Sequence, residues 1–125
     1  GIIQMAFETG ARGLFDGNRL ADHAAENRRR TLGELEIDGS AGHIRLTGDA
    51  QILLRAHGAN DWIDHPYAWH DHLFGGDCVY LTNKAALEAF RAGTTAENEA
   101  EAYLRNLEIV EAVYQSNETR GWVDL

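Results

Sequence analysis

The spacing of apolar residues changes halfway along the chain, and this change restricts the fold more than any other feature of the sequence. In the first half apolar and polar residues alternate, with the apolar set at Leu35, Ile37, Ile44, Leu46, Ile52 and Leu54. A period of two is typical of strands that bury one face and expose the other. The Gly-Ser-Ala-Gly and Gly-Asp breaks between the runs favour turns. This segment therefore predicts a meander with one apolar sheet face and one polar, charged face.

The first residues predict a further pair of strands. Ile3, Met5 and Phe7 alternate with polar or small neighbours, and Thr-Gly then turns the chain into the segment "ARGLFDGN". We expect a hairpin here. The polar stretch "RLADHAAENRRR" separates this hairpin from the meander.

The second half of the chain has helical spacing. Between Asp77 and Phe90 apolar residues fall on one side, and we predict Asp77 as the N-cap and Gly93 as the C-terminal stop. A final helix is indicated by the apolar stripe at Tyr103, Leu107, Val110 and Tyr114. Asn98 with Glu101 is predicted to cap it, and the closing "GWVDL" either adds a short edge strand or covers one.

The two helices need to bury their stripes, and the apolar sheet face is the only large surface for them. We therefore predict an α+β fold in two layers. In this fold both C-terminal helices pack on one face of an open, mainly antiparallel β-sheet.

Length and composition limit the function classes. The 125 residues suit a single domain over 1–125, and 44% apolar residues are enough for a packed core. A net charge of −9 opposes binding to nucleic acid or anionic lipid, whose phosphates attract clustered Lys and Arg. No apolar run approaches the roughly 20 residues of a membrane span, and Cys78 has no disulfide partner within the chain. We therefore expect a cytoplasmic protein that binds neither nucleic acid nor a membrane.

The segment "HPYAWHDHLFGGDC" concentrates groups that carry chemistry. The potential ligands of a divalent metal in it are His65, His70, Asp71, His72 and Asp77. Structural zinc sites usually draw two ligands from each of two separated segments, and a spacing of two residues shares a face only on a strand. The pattern favours surface or cleft histidines ahead of a helix. An alternative stays open, namely a stand-alone α+β module that binds a small ligand or metal through His65–His72.

Two other groups offer reactive chemistry but favour a structural interpretation. Arg28, Arg29 and Arg30 can clamp a phosphate or carboxylate, yet basic triplets on acidic proteins are commonly solvated loops. Cys78 has histidines nearby, yet a cysteine that opens an amphipathic helix is usually packed. The sequence contains no GxGxxG after a strand, no P-loop, no GxSxG and no HExxH motif. We predict no catalytic residue, no cofactor-binding residue and no metal ligand in this chain.

Three stretches resemble a known family in order and spacing. They are "GELEIDGSAGHIRL", "FGGDCVYLTNKAALEAFRAG" and "EAYLRNLEIVEAVYQSNETRGWVDL", and they are similar to the C-terminal half of Gfo/Idh/MocA-type oxidoreductases. The closing helix, with its Leu-Glu-Ile-Val-Glu-Ala run, is the most specific match, and the resemblance covers nearly the whole chain. It implies a parent protein whose N-terminal Rossmann domain binds NAD or NADP. That parent transfers hydride to or from a sugar- or polyol-like substrate.

The same resemblance implies that this chain is only part of such an enzyme. The family's cofactor fingerprint and its Glu-Lys-Pro segment do not occur in the sequence, and we expect the Asp-x-x-x-His pair that opens the family's C-terminal half to precede residue 1 in the parent. The chain also begins directly on a predicted strand, so we expect the Rossmann domain to precede it in the parent. The resemblance therefore implies a C-terminal substrate-binding and dimerisation domain that is catalytically inactive by itself.

Finally, the resemblance implies where substrate and partner bind. The substrate-side residues are Asn18, Arg19, His65, Tyr67, Trp69, His70 and His72. Aromatic rings beside hydrogen-bond donors suit a polyol, which presents both apolar ring faces and hydroxyls. The polar sheet face, with Glu34, Glu36, Arg45 and Arg55, is expected to pair with the same face of a second copy.

Overall fold

The chain divides into two compact units in a computed structural model that describes residues 1–18, 20, 22–28, 30–70 and 72–125. The first unit comprises Gly1–Ala21 with Ala85–Leu125, and the second comprises Asp22–Lys84. Two antiparallel sheets and two helices confirm the predicted α+β class with an open sheet. A single domain over 1–125 stays a prediction.

The first unit begins with the predicted hairpin. Strand β1 (Ile2–Ala6) pairs antiparallel with β2 (Arg12–Asp16), and Met5 lies opposite Gly13. The turn closes through a hydrogen bond of 2.8 Å in which the Gly10 amide donates to the Phe7 carbonyl. The sequence predicts one sheet, whereas these two strands form a two-stranded sheet of their own.

The second unit contains the predicted meander as a four-stranded antiparallel sheet. Its strands are β3 (Leu35–Gly39), β4 (Gly42–Leu46), β5 (Ile52–Ala56) and β6 (Ile63–Asp64), in the order β3-β4-β5-β6. The first three strands confirm the alternating pattern. Strand β6 was not predicted, because two paired residues are too few to show a period.

The strand register separates two chemically different faces of this sheet. Ile37 lies opposite Ile44, and the side chains of Leu54 and Ile63 continue the apolar face. The other face carries Glu36, Asp38, His43, Arg45, Leu53, Arg55 and Asp64. The predicted division into an apolar and a charged face is therefore confirmed.

Helix α1 (Phe74–Ala92) begins differently from the sequence prediction. Gly75, Gly76 and Asp77 all have φ between 60° and 65°, so a left-handed turn precedes the right-handed helix. The Asp77 carboxylate accepts the Leu73 amide at 2.6 Å, four residues earlier in the chain. The predicted N-cap role of Asp77 is therefore wrong, because its carboxylate accepts an amide that precedes it in the chain and not an amide of the first helical turn. The predicted stop is confirmed, since Gly93 has φ of 65° and its amide donates to the last turn.

Helix α2 (Ala100–Thr119) confirms the final helix but not its predicted cap. Its N-cap residue is Glu99, which makes no side-chain capping bond, so the pair of Asn98 and Glu101 does not cap it. The apolar stripe is exposed, from 48% at Leu107 to 65% at Tyr114. In the first unit this stripe is not packed on the hairpin, because a two-stranded ribbon offers little surface to cover it. Packing of the helices on a sheet face stays a prediction.

The closing residues run beside α2 without forming a strand. The Ser116 hydroxyl donates to the Gly121 carbonyl at 2.6 Å, and Arg120 takes the left-handed conformation that ends the helix. Val123 and Leu125 line a groove along Leu104 and Leu107. Residues 121–125 therefore do not add an edge strand, and the alternative that they cover one stays a prediction.

Candidate ligand-binding cleft

A cleft of about 200 Å³ lies between the β4–β5 turn and the segment that follows β6. The side chains that define it are Asp49, Gln51, Asp64, His65, Tyr67 and Trp69. All of them belong to the second unit. The cleft is smaller than the roughly 300–1,000 Å³ of pockets for drug-sized ligands, so it suits a single small ring or a short chain.

Two hydrogen bonds fasten the segment after β6 to the turn. The His65 amide donates to the Ile52 carbonyl at 2.8 Å, which extends the strand pairing by one residue. The Tyr67 hydroxyl donates to the Ala50 carbonyl at 2.7 Å. These bonds leave Tyr67 and Trp69 42% and 41% exposed, so their rings are accessible from solvent.

Asp49 connects the segment at residues 26–30 to the β4–β5 turn. Its carboxylate accepts the Glu26 amide at 2.9 and 3.1 Å and the Asn27 amide at 3.4 Å. It also pairs with the Arg30 guanidinium at 3.5 Å. The Arg30 guanidinium in turn lies 5.1 Å from the centre of the Trp69 ring, within cation–π range. A chain of contacts therefore runs from Asp49 through Arg30 to Trp69.

The segment at residues 23–25 packs closely on the β4–β5 turn at Gly48. A Cβ atom at that position would lie 2.6 Å from the His23 ring, 2.9 Å from the Ala25 Cβ and 3.0 Å from the Ala24 carbonyl oxygen. The Thr31 hydroxyl adds a contact of 3.4 Å to the Gly48 carbonyl. His23 Nε2 is buried and has no hydrogen-bond partner among the described residues. Glycine is required here by close approach of the two segments.

Three of the predicted substrate-side residues converge in the cleft, namely His65, Tyr67 and Trp69. His70 and His72 do not line it; their rings stack on each other with centroids 5.6 Å apart and both are exposed. A substrate-side role for these two histidines in the parent protein stays a prediction.

The remaining predicted residues lie elsewhere or outside the description. Asn18 belongs to the first unit, where its side-chain oxygen accepts the Leu20 amide at 3.0 Å. Arg19, Arg29 and Asp71 lie outside the described residues.

The sequence interpretation missed Asp49, Ala50 and Asp64 as cleft residues. Gly48-Asp49 signalled only a turn, and the partners of Asp49 lie more than twenty residues away in the sequence. Arg30 does bind a carboxylate, as one interpretation of the arginine triplet allowed, but that carboxylate belongs to the chain itself.

A metal site finds no support in the described part of the chain. No group of three or more His, Cys, Asp or Glu side chains there is placed to hold an ion. Cys78 is exposed, and its Sγ lies 3.6 Å from the Phe74 carbonyl oxygen.

The polar sheet face carries a second cluster of interacting side chains around Trp62. The guanidinium groups of Arg45 and Arg55 lie 4.6 and 5.3 Å from the centre of its ring. Arg45 also donates to Glu36 at 2.7 Å, and His43 contacts Asp38 across the same strand pair. The opposite charges on this face are therefore largely paired between neighbouring strands.

The described residues do not form the dinucleotide site of a Rossmann domain. In that fold the cofactor's pyrophosphate lies on a glycine-rich turn between a parallel strand and a helix, with free amides. All described strands pair antiparallel. At the glycine pair in the first turn of α1, the buried carboxylate of Asp77, 8% exposed, accepts the Leu73 amide and would repel a phosphate.

Comparison with known proteins adds no relative, since no family model, no curated protein and no solved structure matches this chain. A search of the described residues found no helix with the length and apolar character needed to cross a membrane.

Proposed function

We propose that this chain binds a sugar- or polyol-like substrate as the C-terminal domain of a nicotinamide-dependent oxidoreductase of the Gfo/Idh/MocA type. The cofactor, NAD or NADP, would be held by an N-terminal Rossmann domain of the parent protein. In this proposal the parent is cytoplasmic and the isolated chain is catalytically inactive. The sequence resemblance supplies both the enzyme class and the substrate class, and the lining of the cleft is compatible with such a ligand.

The observation that supports ligand binding is the arrangement of Trp69 and Tyr67 beside Asp64 and His65. Two accessible aromatic rings offer apolar faces for the C–H surface of a ring or polyol chain. The neighbouring carboxylate and imidazole can accept and donate hydrogen bonds to hydroxyl groups. Both kinds of contact are therefore available within this small volume.

Saturation-transfer NMR with myo-inositol on the full chain tests this proposal. Signal transfer is expected for the native chain and for Trp122→Ala, which removes an exposed indole in the first unit. Trp69→Ala should abolish it, because the ring that supplies the apolar contact is lost. No transfer with the native chain, or equal transfer with Trp69→Ala, would contradict the proposal.

The proposal also includes pairing of two copies through the polar sheet face. Trp62 flanked by Arg45 and Arg55 supports it, because Trp and Arg are enriched at the centres of interfaces. We expect a dimer or larger assembly in light scattering. A clean monomer at high concentration would contradict this part.

A stand-alone ligand-binding module is the second candidate. All residues of the cleft lie within Asp22–Lys84, so the site does not depend on the rest of the chain for its lining. The coding sequence upstream of Gly1 separates the two candidates. A Rossmann fingerprint followed by a lysine motif supports the oxidoreductase, whereas a start codon close to Gly1 supports the module.

A further inference from the structure

The cleft carries negative charge that its described lining does not balance. Asp49 and Asp64 both line it, and none of the described residues that line it is a Lys or Arg. The charge of Asp49 is met by the Arg30 guanidinium and by two backbone amides. The carboxylate of Asp64 makes no ion pair or hydrogen bond within the described part of the chain. Within the described residues, the Asp64 carboxylate therefore remains available to a ligand.

The neighbours of Asp64 explain why its charge stays available. Its cross-strand partner is Leu53, an apolar residue that offers no donor. Arg55 is the basic residue on the same face of β5, but its guanidinium lies over Trp62 and donates to the Ala59 carbonyl at 3.0 Å. The Arg55 guanidinium is therefore held by Trp62 and Ala59 and makes no ion pair with Asp64 among the described residues.

We propose that Asp64 makes the cleft selective for neutral or amino-substituted polyols against those that carry a carboxylate or phosphate; this inference rests on the proposed function. Hydroxyl groups donate to a carboxylate, and an ammonium group adds attraction between opposite charges. An acidic ligand brings a like charge within a few ångströms of Asp64. At the high effective dielectric of an open cleft, that repulsion weakens binding roughly three- to tenfold.

The test compares three ligands of similar size on the full chain. NMR titration gives the dissociation constants of myo-inositol, glucosamine and glucuronate for the native chain, Asp64→Asn and Asp61→Asn. Asp61 is the matched control, since it is an exposed carboxylate of the same segment that does not line the cleft. For the native chain and Asp61→Asn, glucuronate should bind roughly three- to tenfold more weakly than myo-inositol. Asp64→Asn should bring this ratio close to one.

A second measurement needs no variant. Raising the salt concentration to about 0.5 M screens charges in an open cleft, so the ratio between glucuronate and myo-inositol should shrink in the native chain. A ratio near one in the native chain at low salt, or a ratio unchanged by Asp64→Asn, overturns the inference while ring binding still supports the proposed function. Failure of all three ligands to shift the Trp69 resonances overturns both.

Discussion

Replacing Asp49 is expected to loosen the attachment of residues 26–30 to the β4–β5 turn. The carboxylate accepts the amides of Glu26 and Asn27 at 2.9 and 3.4 Å and faces Arg30 at 3.5 Å. A hydrogen bond to a charged group contributes about 1.5–3 kcal/mol. Because the Asp49 side chain is 31% exposed, we take the lower end for both amides together and add at most about 0.5 kcal/mol for the ion pair. Asp49→Ala should therefore lower the free energy of unfolding by about 2 kcal/mol.

Asp49→Asn separates the contribution of the hydrogen bonds from that of the charge. The asparagine side-chain oxygen still accepts a backbone hydrogen bond but carries no charge. The expected loss is about 1 kcal/mol. Urea unfolding gives the free energies, and amide hydrogen exchange at Glu26 should accelerate more in the alanine variant than in the asparagine variant. Asp61→Ala is the control, with a change below about 0.5 kcal/mol. Equal losses in the two Asp49 variants, or unchanged Glu26 exchange in Asp49→Ala, would refute the anchoring role.

Two further substitutions test close packing and backbone conformation. Gly48→Ala should lower the free energy of unfolding by about 1–3 kcal/mol, because the new Cβ would lie 2.9 Å from the Ala25 Cβ and 3.0 Å from the Ala24 carbonyl oxygen. Gly39→Ala, whose Cβ meets nothing nearer than 3.7 Å, should cost clearly less in the same urea experiment. Asp77→Ala should be more destabilising than Asp77→Asn in thermal unfolding, because asparagine tolerates φ of 65° and keeps an acceptor for the amide four residues earlier. Equal melting temperatures of the two Asp77 variants would show that neither the positive φ nor the hydrogen bond from the Leu73 amide contributes to stability.

The strands were predictable because their determinants are local. The alternation of apolar and polar residues places Ile37 and Ile44 on the same face of the sheet. The glycines between them favour a turn, and that turn sets the register of the two strands. The cleft was only half predictable. Tyr67 and Trp69 stand out by residue type, whereas Asp49 becomes a cleft residue only through contacts with a distant segment. No periodicity encodes such a contact.

The helix starts show a different limit of sequence analysis. Asp77 and Asn98 have the residue type of an N-cap, but the same oxygen can bind an amide on either side. Two glycines before Asp77 allow a left-handed turn, and in that turn the carboxylate points back to Leu73. Residue type therefore identified the helix boundary within a few positions, while backbone conformation decided which amide was bound.

The base of the cleft combines backbone strain with burial. Ala50 has φ of 65°, a left-handed conformation that costs a residue with a side chain roughly 1–2 kcal/mol, and it is the buried apolar residue of the described part, 9% exposed. Its amide donates to the Thr47 carbonyl, and its carbonyl accepts the Tyr67 hydroxyl. Such strain persists only where surrounding contacts determine the conformation, and it concentrates at ligand sites. The hydrogen bonds of Ala50 to Thr47 and Tyr67 thus hold this conformation and fix the base of the cleft.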